Sequence, residues 1–96
     1  MMTTADILAY MGRSRERFAR LYSVRRIGVF GSAARGEAHE GSDVDVLVEM
    51  SEPTLDRYMD LKFEMEAALG MPVDLVLADT VKQRLRPIIE REVVYA

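Results

Sequence analysis

The sequence contains no cysteine, no tryptophan, one histidine and three prolines among its 96 residues. The absence of cysteine excludes a disulfide framework and a thiolate metal site. No apolar run is long enough to span a bilayer. Residues 1–18 lack the basic segment and apolar block of a secretory signal. We therefore expect a cytoplasmic protein with no membrane association.

An excess of positive charge is also missing, because the formal net charge is -3. Binding to nucleic acid through phosphates needs a basic face, so a nucleic acid is not the expected partner. Basic residues do cluster at 12–20, 25–26 and 82–86. Solvated helix faces and ends explain such clusters, and the alternative is an edge that meets an acidic partner or a nucleotide.

Apolar residues are plentiful, at 49% of a chain whose length fits one domain over residues 1–96. Helix caps and the spacing of apolar residues predict an ordered series of elements. In chain order these are a helix over 3–20, a strand over 23–32, a helical turn and polar loop over 33–42, a strand over 43–50, a helix over 53–70, a strand over 72–78, and a last helix from Asp79 that Pro87 interrupts or ends.

The helix between the second and third strands favours their parallel pairing through a right-handed crossover. The short segment between the first two strands favours antiparallel pairing. We therefore predict an α/β (α+β) fold with a small mixed sheet of three to four strands and packed helices. Tyr58 and Phe63 of the crossover helix are predicted to lie in the core, and Tyr95 to lie in an edge strand or a partner-binding patch.

Three aspartates lie in the second and third predicted strands. Asp43 and Asp45 alternate with buried-type valines, so both should point to one face of the sheet, with Cα atoms roughly 6.6 Å apart. Asp74 in the next strand should stand beside them. Three converging carboxylates repel one another, and oxygen-only ligands suit Mg²⁺ or Mn²⁺. Two such ions about 3.5–4 Å apart would suit phosphoryl transfer.

The segment before these acids has the residues of a phosphate-binding turn. Gly31 permits close backbone approach, Ser32 offers a hydroxyl and an N–H group, and Arg35 adds a guanidinium. Ser42 is a further candidate nucleotide-binding residue, which could donate a hydrogen bond to a metal ligand or a phosphate oxygen. The competing interpretations are an Arg35 ion pair with a neighbouring glutamate, a capping role for Ser42, and aspartates that simply face water.

The combination of "GSAARGEAHEGSDVDVLV" with a downstream "PVDLV" resembles the polymerase-β-like nucleotidyltransferase superfamily. It is most similar to the minimal nucleotidyltransferases, the MNT antitoxins encoded beside HEPN toxins, and the resemblance covers nearly the whole chain. It implies metal-binding and catalytic roles for Asp43, Asp45 and Asp74, with Gly31 and Ser32 as the motif residues that meet the nucleotide.

The activity that this resemblance implies is a Mg²⁺-dependent transfer of AMP from ATP to a hydroxyl group. The expected acceptor is a tyrosine of a HEPN ribonuclease toxin, with which the chain would form a hetero-oligomer as its antitoxin. Two alternatives remain. The chain neutralises a toxin by binding alone, or it transfers nucleotides to RNA or to a small molecule.

Overall fold

The computed structural model describes residues 2–37, 43–81 and 83–96. Two helices open the chain, and strands and helices follow in turn. In order they are α1 (Thr4–Arg13), α2 (Arg15–Tyr22), β1 (Val24–Phe30), α3 (Gly31–Ala34), β2 (Val44–Met50), α4 (Leu55–Leu69), β3 (Val73–Leu77), a 3₁₀ turn (Ala78–Thr80), α5 (Arg86–Glu92) and β4 (Val94–Tyr95).

The four strands form one mixed sheet in the order β3-β2-β1-β4. β1 is antiparallel to both β2 and β4, whereas β2 and β3 are parallel and joined through α4. The predicted fold class and both predicted strand pairings are therefore confirmed. The segment around Tyr95 is the edge strand β4, which pairs with β1 through Gly28 and Val29.

One face of the sheet carries the hydrophobic core. Val44, Val46 and Val48 of β2 are fully buried and belong to one cluster with side chains from α1, α2 and α4. The cluster members from α1, α2 and α4 are Ile7, Met11, Phe18, Leu61, Met65 and Leu69, and Ala33 of α3 joins them. The intervening β2 residues point to the opposite face because side chains alternate along a strand. That opposite face is therefore where polar residues can gather on a rigid support.

The first helix is shorter than predicted, because the chain bends at Ser14 into two helices. Ser14 is both the last cap of α1 and the first cap of α2. The bend allows Met11 and Phe18, both with no exposed surface, to enter the same core. Gly12, a poor helix former, lies next to this break.

The last helix also differs from the prediction. Asp79 starts no long helix, because residues 78–80 form a 3₁₀ turn and α5 begins only at Arg86. Pro87 occupies the first turn of α5, where its missing N–H leaves no hydrogen bond unmade. The proline therefore begins the helix instead of ending it.

The crossover helix α4 is capped as predicted, by Thr54 at its start and by Gly70 in a left-handed conformation at its end. Its core face is narrower than predicted. Leu61, Met65 and Leu69, spaced four residues apart, are buried, but Phe63 is 55% exposed. Phe63 lies two positions from Leu61 and therefore falls on the other side of the helix. In the described ranges, no helix has the length and apolar character to cross a membrane.

Candidate functional site

Asp45 and Asp74 face each other across the parallel strands β2 and β3. The register pairs Val44 with Val73 and places Asp45 directly opposite Asp74. Neighbouring strands are about 4.8 Å apart, so both carboxylates leave the same face at the same level. Asp45 is half-buried and Asp74 is exposed. The sheet thus holds two acids as a pair, as the strand pattern predicted.

The pKa of Asp45 is raised above its ordinary value. Burial is the largest cause, followed by the negative charges of Asp74 and Asp43 and by a hydrogen bond with Asp74. Arg35 offsets part of this effect. Negative charge is therefore crowded at this point of the sheet, and a bound cation would relieve it.

Asp43 lies immediately before β2 and is exposed. The prediction that Asp43 is a strand residue was therefore wrong. A backbone bond from Val44 N–H to Pro72 O, 2.9 Å long, attaches the start of β2 to the chain entering β3. The negative charge of Asp43 is one of the causes that raise the pKa of Asp45, after burial and the charge of Asp74. In residues 2–37, 43–81 and 83–96, however, no three acidic or histidine side chains are arranged as a ready group of metal ligands.

The donor chemistry nevertheless fits a hard divalent cation. Asp45 and Asp74 present only carboxylate oxygens. Asp43 is a third acid, and its negative charge contributes to the raised pKa of Asp45. Oxygen ligands of this kind suit Mg²⁺ or Mn²⁺. The structure thus brings together two of the three predicted ligands and leaves the third beside them.

The turn after β1 comes very close to Asp45. Phe30 pairs with Asp45 across the sheet, and Gly31 follows with a φ of +65°. A Cβ atom added at Gly31 would overlap the Asp45 Oδ2 atom. A side chain at position 31 is therefore disfavoured for two reasons, the left-handed backbone and the contact with the Asp45 carboxylate. The predicted close approach of Gly31 to a phosphate stays a prediction.

Ser32 follows in α3, half-buried, and the fully buried Ala33 anchors this short helix in the core. The Thr4 hydroxyl donates a hydrogen bond to the carbonyl oxygen of Ala33, which attaches the turn to the start of α1. Nothing in the sequence pattern distinguishes Thr4 from a helix cap, a role that Thr3 fulfils. A nucleotide contact of Gly31 or Ser32 stays a prediction.

Arg35 pairs with two carboxylates. Its Nε atom lies 3.2 Å from Glu37 Oε2 and its Nη1 atom 3.4 Å from Glu92 Oε1, with 48% of the side chain exposed. The competing interpretation, an ion pair with Glu37, is therefore present in this state, and a phosphate contact of Arg35 stays a prediction. Ser42 lies outside the described residues.

A cleft of about 210 Å³ lies farther along the same face of the sheet. Leu47, the residue of β2 that follows Asp45 on this face, forms part of its wall. The Arg26 guanidinium carbon lies 4.0 Å from the centre of the Tyr95 ring at its side. We call it the Arg26 cleft. Its described lining consists of Arg26, Leu47, Glu49, Ala78, Asp79, Val81, Arg86, Ile89, Glu90 and Tyr95.

The fold and the paired acids beside a glycine turn define a nucleotidyltransferase class. The family model for the nucleotidyltransferase domain matches residues 11–96, and the chain belongs to this family. It is 42% identical to the protein adenylyltransferase MntA of Thermococcus cleftensis over 96 residues, which cover 99% of this chain and 97% of the relative.

Two solved structures share the fold. One, of a protein assigned as a minimal nucleotidyltransferase, has a TM-score of 0.84 and 38% identity and covers 97% of this chain and 95% of its own. The other contains a tri-AMPylated HEPN toxin of Shewanella oneidensis with an MNT antitoxin. Its TM-score is 0.63 at 18% identity, covering 92% of this chain and 70% of its own. The second likeness extends to the fold alone.

Proposed function

We propose that this chain transfers AMP from ATP to a tyrosine hydroxyl of a HEPN ribonuclease toxin and thereby acts as its antitoxin. The observation that carries the proposal is the in-register pair of Asp45 and Asp74 against the Gly31 turn. The relative named a protein adenylyltransferase, which matches nearly end to end, supports the same activity. The structure of an AMPylated HEPN toxin with an MNT antitoxin supports a HEPN toxin as the acceptor protein.

In this proposal Asp43, Asp45 and Asp74 would hold divalent cations, Mg²⁺ or Mn²⁺, and such ions would supply charge neutralisation for the triphosphate and for in-line displacement at its α-phosphorus. The Gly31–Ser32 turn carries backbone N–H groups beside the same acids. Arg35 exchanges its carboxylate partners for a phosphate oxygen, an exchange that its 48% exposure permits. Ser42 adds a hydroxyl from the segment just before Asp43.

The chemical step forms one bond and breaks one. The tyrosine oxygen attacks the α-phosphorus of ATP, and the bond between that phosphorus and the oxygen bridging to the β-phosphorus breaks. Pyrophosphate leaves with the bonding electrons. The tyrosine proton passes to a carboxylate, and Asp74 is the exposed member of the pair, able to meet an incoming hydroxyl. The rigid sheet keeps these groups in position without reorganisation during the reaction.

The test is transfer of label from ATP labelled at the α-phosphorus to a purified HEPN ribonuclease toxin, in the presence of Mg²⁺. We expect label on a tyrosine and loss of ribonuclease activity. Asp45→Asn should abolish both, and Asp56→Asn, an exposed acid of α4 far along the chain from the pair, should change neither. Neutralisation by the variant Asp43→Asn/Asp45→Asn without any labelling would instead establish an antitoxin that acts by binding alone.

A further inference from the structure

The Arg26 cleft lies one step along the sheet from the paired acids and on the same face. Leu47 in the near wall of the cleft is two residues after Asp45, roughly 6.6 Å along β2, and Arg26 pairs with Glu49, four residues after Asp45 and roughly 13 Å along the strand. The ribose and base of a nucleotide together extend from the α-phosphate into this interval, where the long Arg26 side chain can meet the base. A triphosphate held at the acids would therefore direct its base toward this cleft.

The lining suits a flat ring. The Arg26 guanidinium lies against the Tyr95 ring on one side, and 55% of the Arg26 side chain is exposed. Bases stack readily on guanidinium planes and aromatic rings. Leu47 and Ile89 add apolar surface to the same lining. The cleft therefore offers a stacking surface and apolar contacts together.

The charges of the cleft argue against a phosphate as its occupant. Its described lining contains three carboxylates, those of Glu49, Asp79 and Glu90, but only two arginines. Arg26 is paired with Glu49 at 3.2 Å, which offsets one positive charge. A neutral ring with an amino group, such as adenine, can instead donate hydrogen bonds to these acceptors.

The volume supports the same occupant. A cleft of about 210 Å³ is smaller than the roughly 300–1,000 Å³ typical of pockets for drug-sized ligands. Its volume therefore suits the base of a nucleotide better than a whole nucleotide.

We infer that the Arg26 cleft is the subsite for the nucleobase of the triphosphate substrate, with Arg26 as the residue on which the base stacks. The inference rests on the proposed function for its ligand. It assigns to Arg26 a role in nucleotide specificity, separate from the acids that hold the triphosphate. β4 takes part because Tyr95 holds the guanidinium in place.

The experiment compares the binding of ATP and of inorganic tripolyphosphate, each with Mg²⁺, to the full chain by titration calorimetry. Arg26→Ala removes the stacking plane, and Arg26→Lys keeps the charge but not the plane. Arg25→Ala is the matched control, because Arg25 is an exposed neighbour that does not line the cleft. Arg26→Lys also serves if Arg26→Ala loosens β4.

Both Arg26 variants should bind ATP roughly five- to a hundredfold more weakly, the range that loss of one base stack gives. Their affinity for tripolyphosphate should stay within about twofold of the wild type, because that probe has no base. Arg25→Ala should match the wild type for both probes. Unchanged ATP affinity in both Arg26 variants, or equal weakening for the two probes, would overturn the inference.

These outcomes are separable from those that test the proposed function. Arg26-dependent ATP binding without any AMP transfer to the toxin would support the subsite and contradict the transfer. AMP transfer to the toxin together with an ATP affinity that the Arg26 variants leave unchanged would support the proposed function and contradict the base subsite.

Discussion

Replacement of Gly31 by alanine tests whether the turn after β1 keeps the Asp45 carboxylate in the position that AMP transfer needs. The substitution has two costs. A side chain in the left-handed region costs roughly 1–2 kcal/mol, and Gly31 has a φ of +65°. The new Cβ atom would also overlap Asp45 Oδ2, so the carboxylate has to move. A reacting geometry displaced by about 1 Å can lose on the order of a hundredfold in rate.

Gly36 provides a matched control. It has a φ of +73°, but a Cβ atom added there meets nothing within 4 Å. Gly36→Ala therefore has the backbone cost without the contact with Asp45. Both variants should unfold at a lower temperature, by about 4–16 °C for a domain of this size.

The assays are thermal unfolding and the rate of AMP transfer at a temperature where both variants are folded. Gly31→Ala should lose transfer by roughly a hundredfold, whereas Gly36→Ala should stay within a fewfold of the wild type. Equal transfer rates in the two alanine variants would contradict this prediction, because the contact between position 31 and Asp45 would then have no effect on catalysis.

Three further predictions concern stability. Because the pKa of Asp45 is raised, the folded chain holds its proton to higher pH than the unfolded chain, so stability falls as pH rises through that interval. Asp45→Asn should remove this dependence and raise the melting temperature of the metal-free protein at neutral pH, as pH-dependent melting would show. Gly28→Ala should expose the β4 amides to hydrogen exchange, because its Cβ atom would lie 2.5 Å from the Val94 oxygen. Tyr22→Phe should cost about 1.5–3 kcal/mol in denaturant unfolding, because the hydroxyl donates to Glu64 at 2.6 Å.

Each of these has an outcome that contradicts it. For Asp45, the contradiction is an asparagine variant less stable than the wild type at neutral pH without added cation. For Gly28, it is unaltered protection of β4. For Tyr22, whose pKa is raised to about 12 by burial and then by Glu64, it is a loss no larger than that of Arg17→Ala. That control breaks the exposed ion pair to the same glutamate and should cost under about 1 kcal/mol.

The sheet and its acid pair were predictable because strands repeat every two residues. Val44, Val46 and Val48 define the buried face, so Asp45 must point the other way. The helical crossover then makes β2 and β3 parallel and sets Asp74 near Asp45. The alternation also predicted a strand position for Asp43, and this was wrong because pairing with β3 begins only at Val44.

Contacts between distant segments were not predictable from local patterns. The second partner of Arg35 is Glu92, which lies 57 positions away in the chain. The lining of the Arg26 cleft includes residues of β4 and α5 as well as of β1 and β2. The spacing of apolar residues along the chain does not predict that these elements come together. The exposure of Phe63 depends on which side of α4 meets the sheet, a choice that the apolar residues around this helix left open.

The central claim is that the acids of the sheet hold a cation that carries the triphosphate. Its most direct test is calorimetric titration of ATP into the wild-type chain and into Asp45→Asn, each with Mg²⁺ and with a chelator. We expect binding only for the wild type with Mg²⁺. Equally tight binding by the variant, or binding that persists in the chelator, would contradict it.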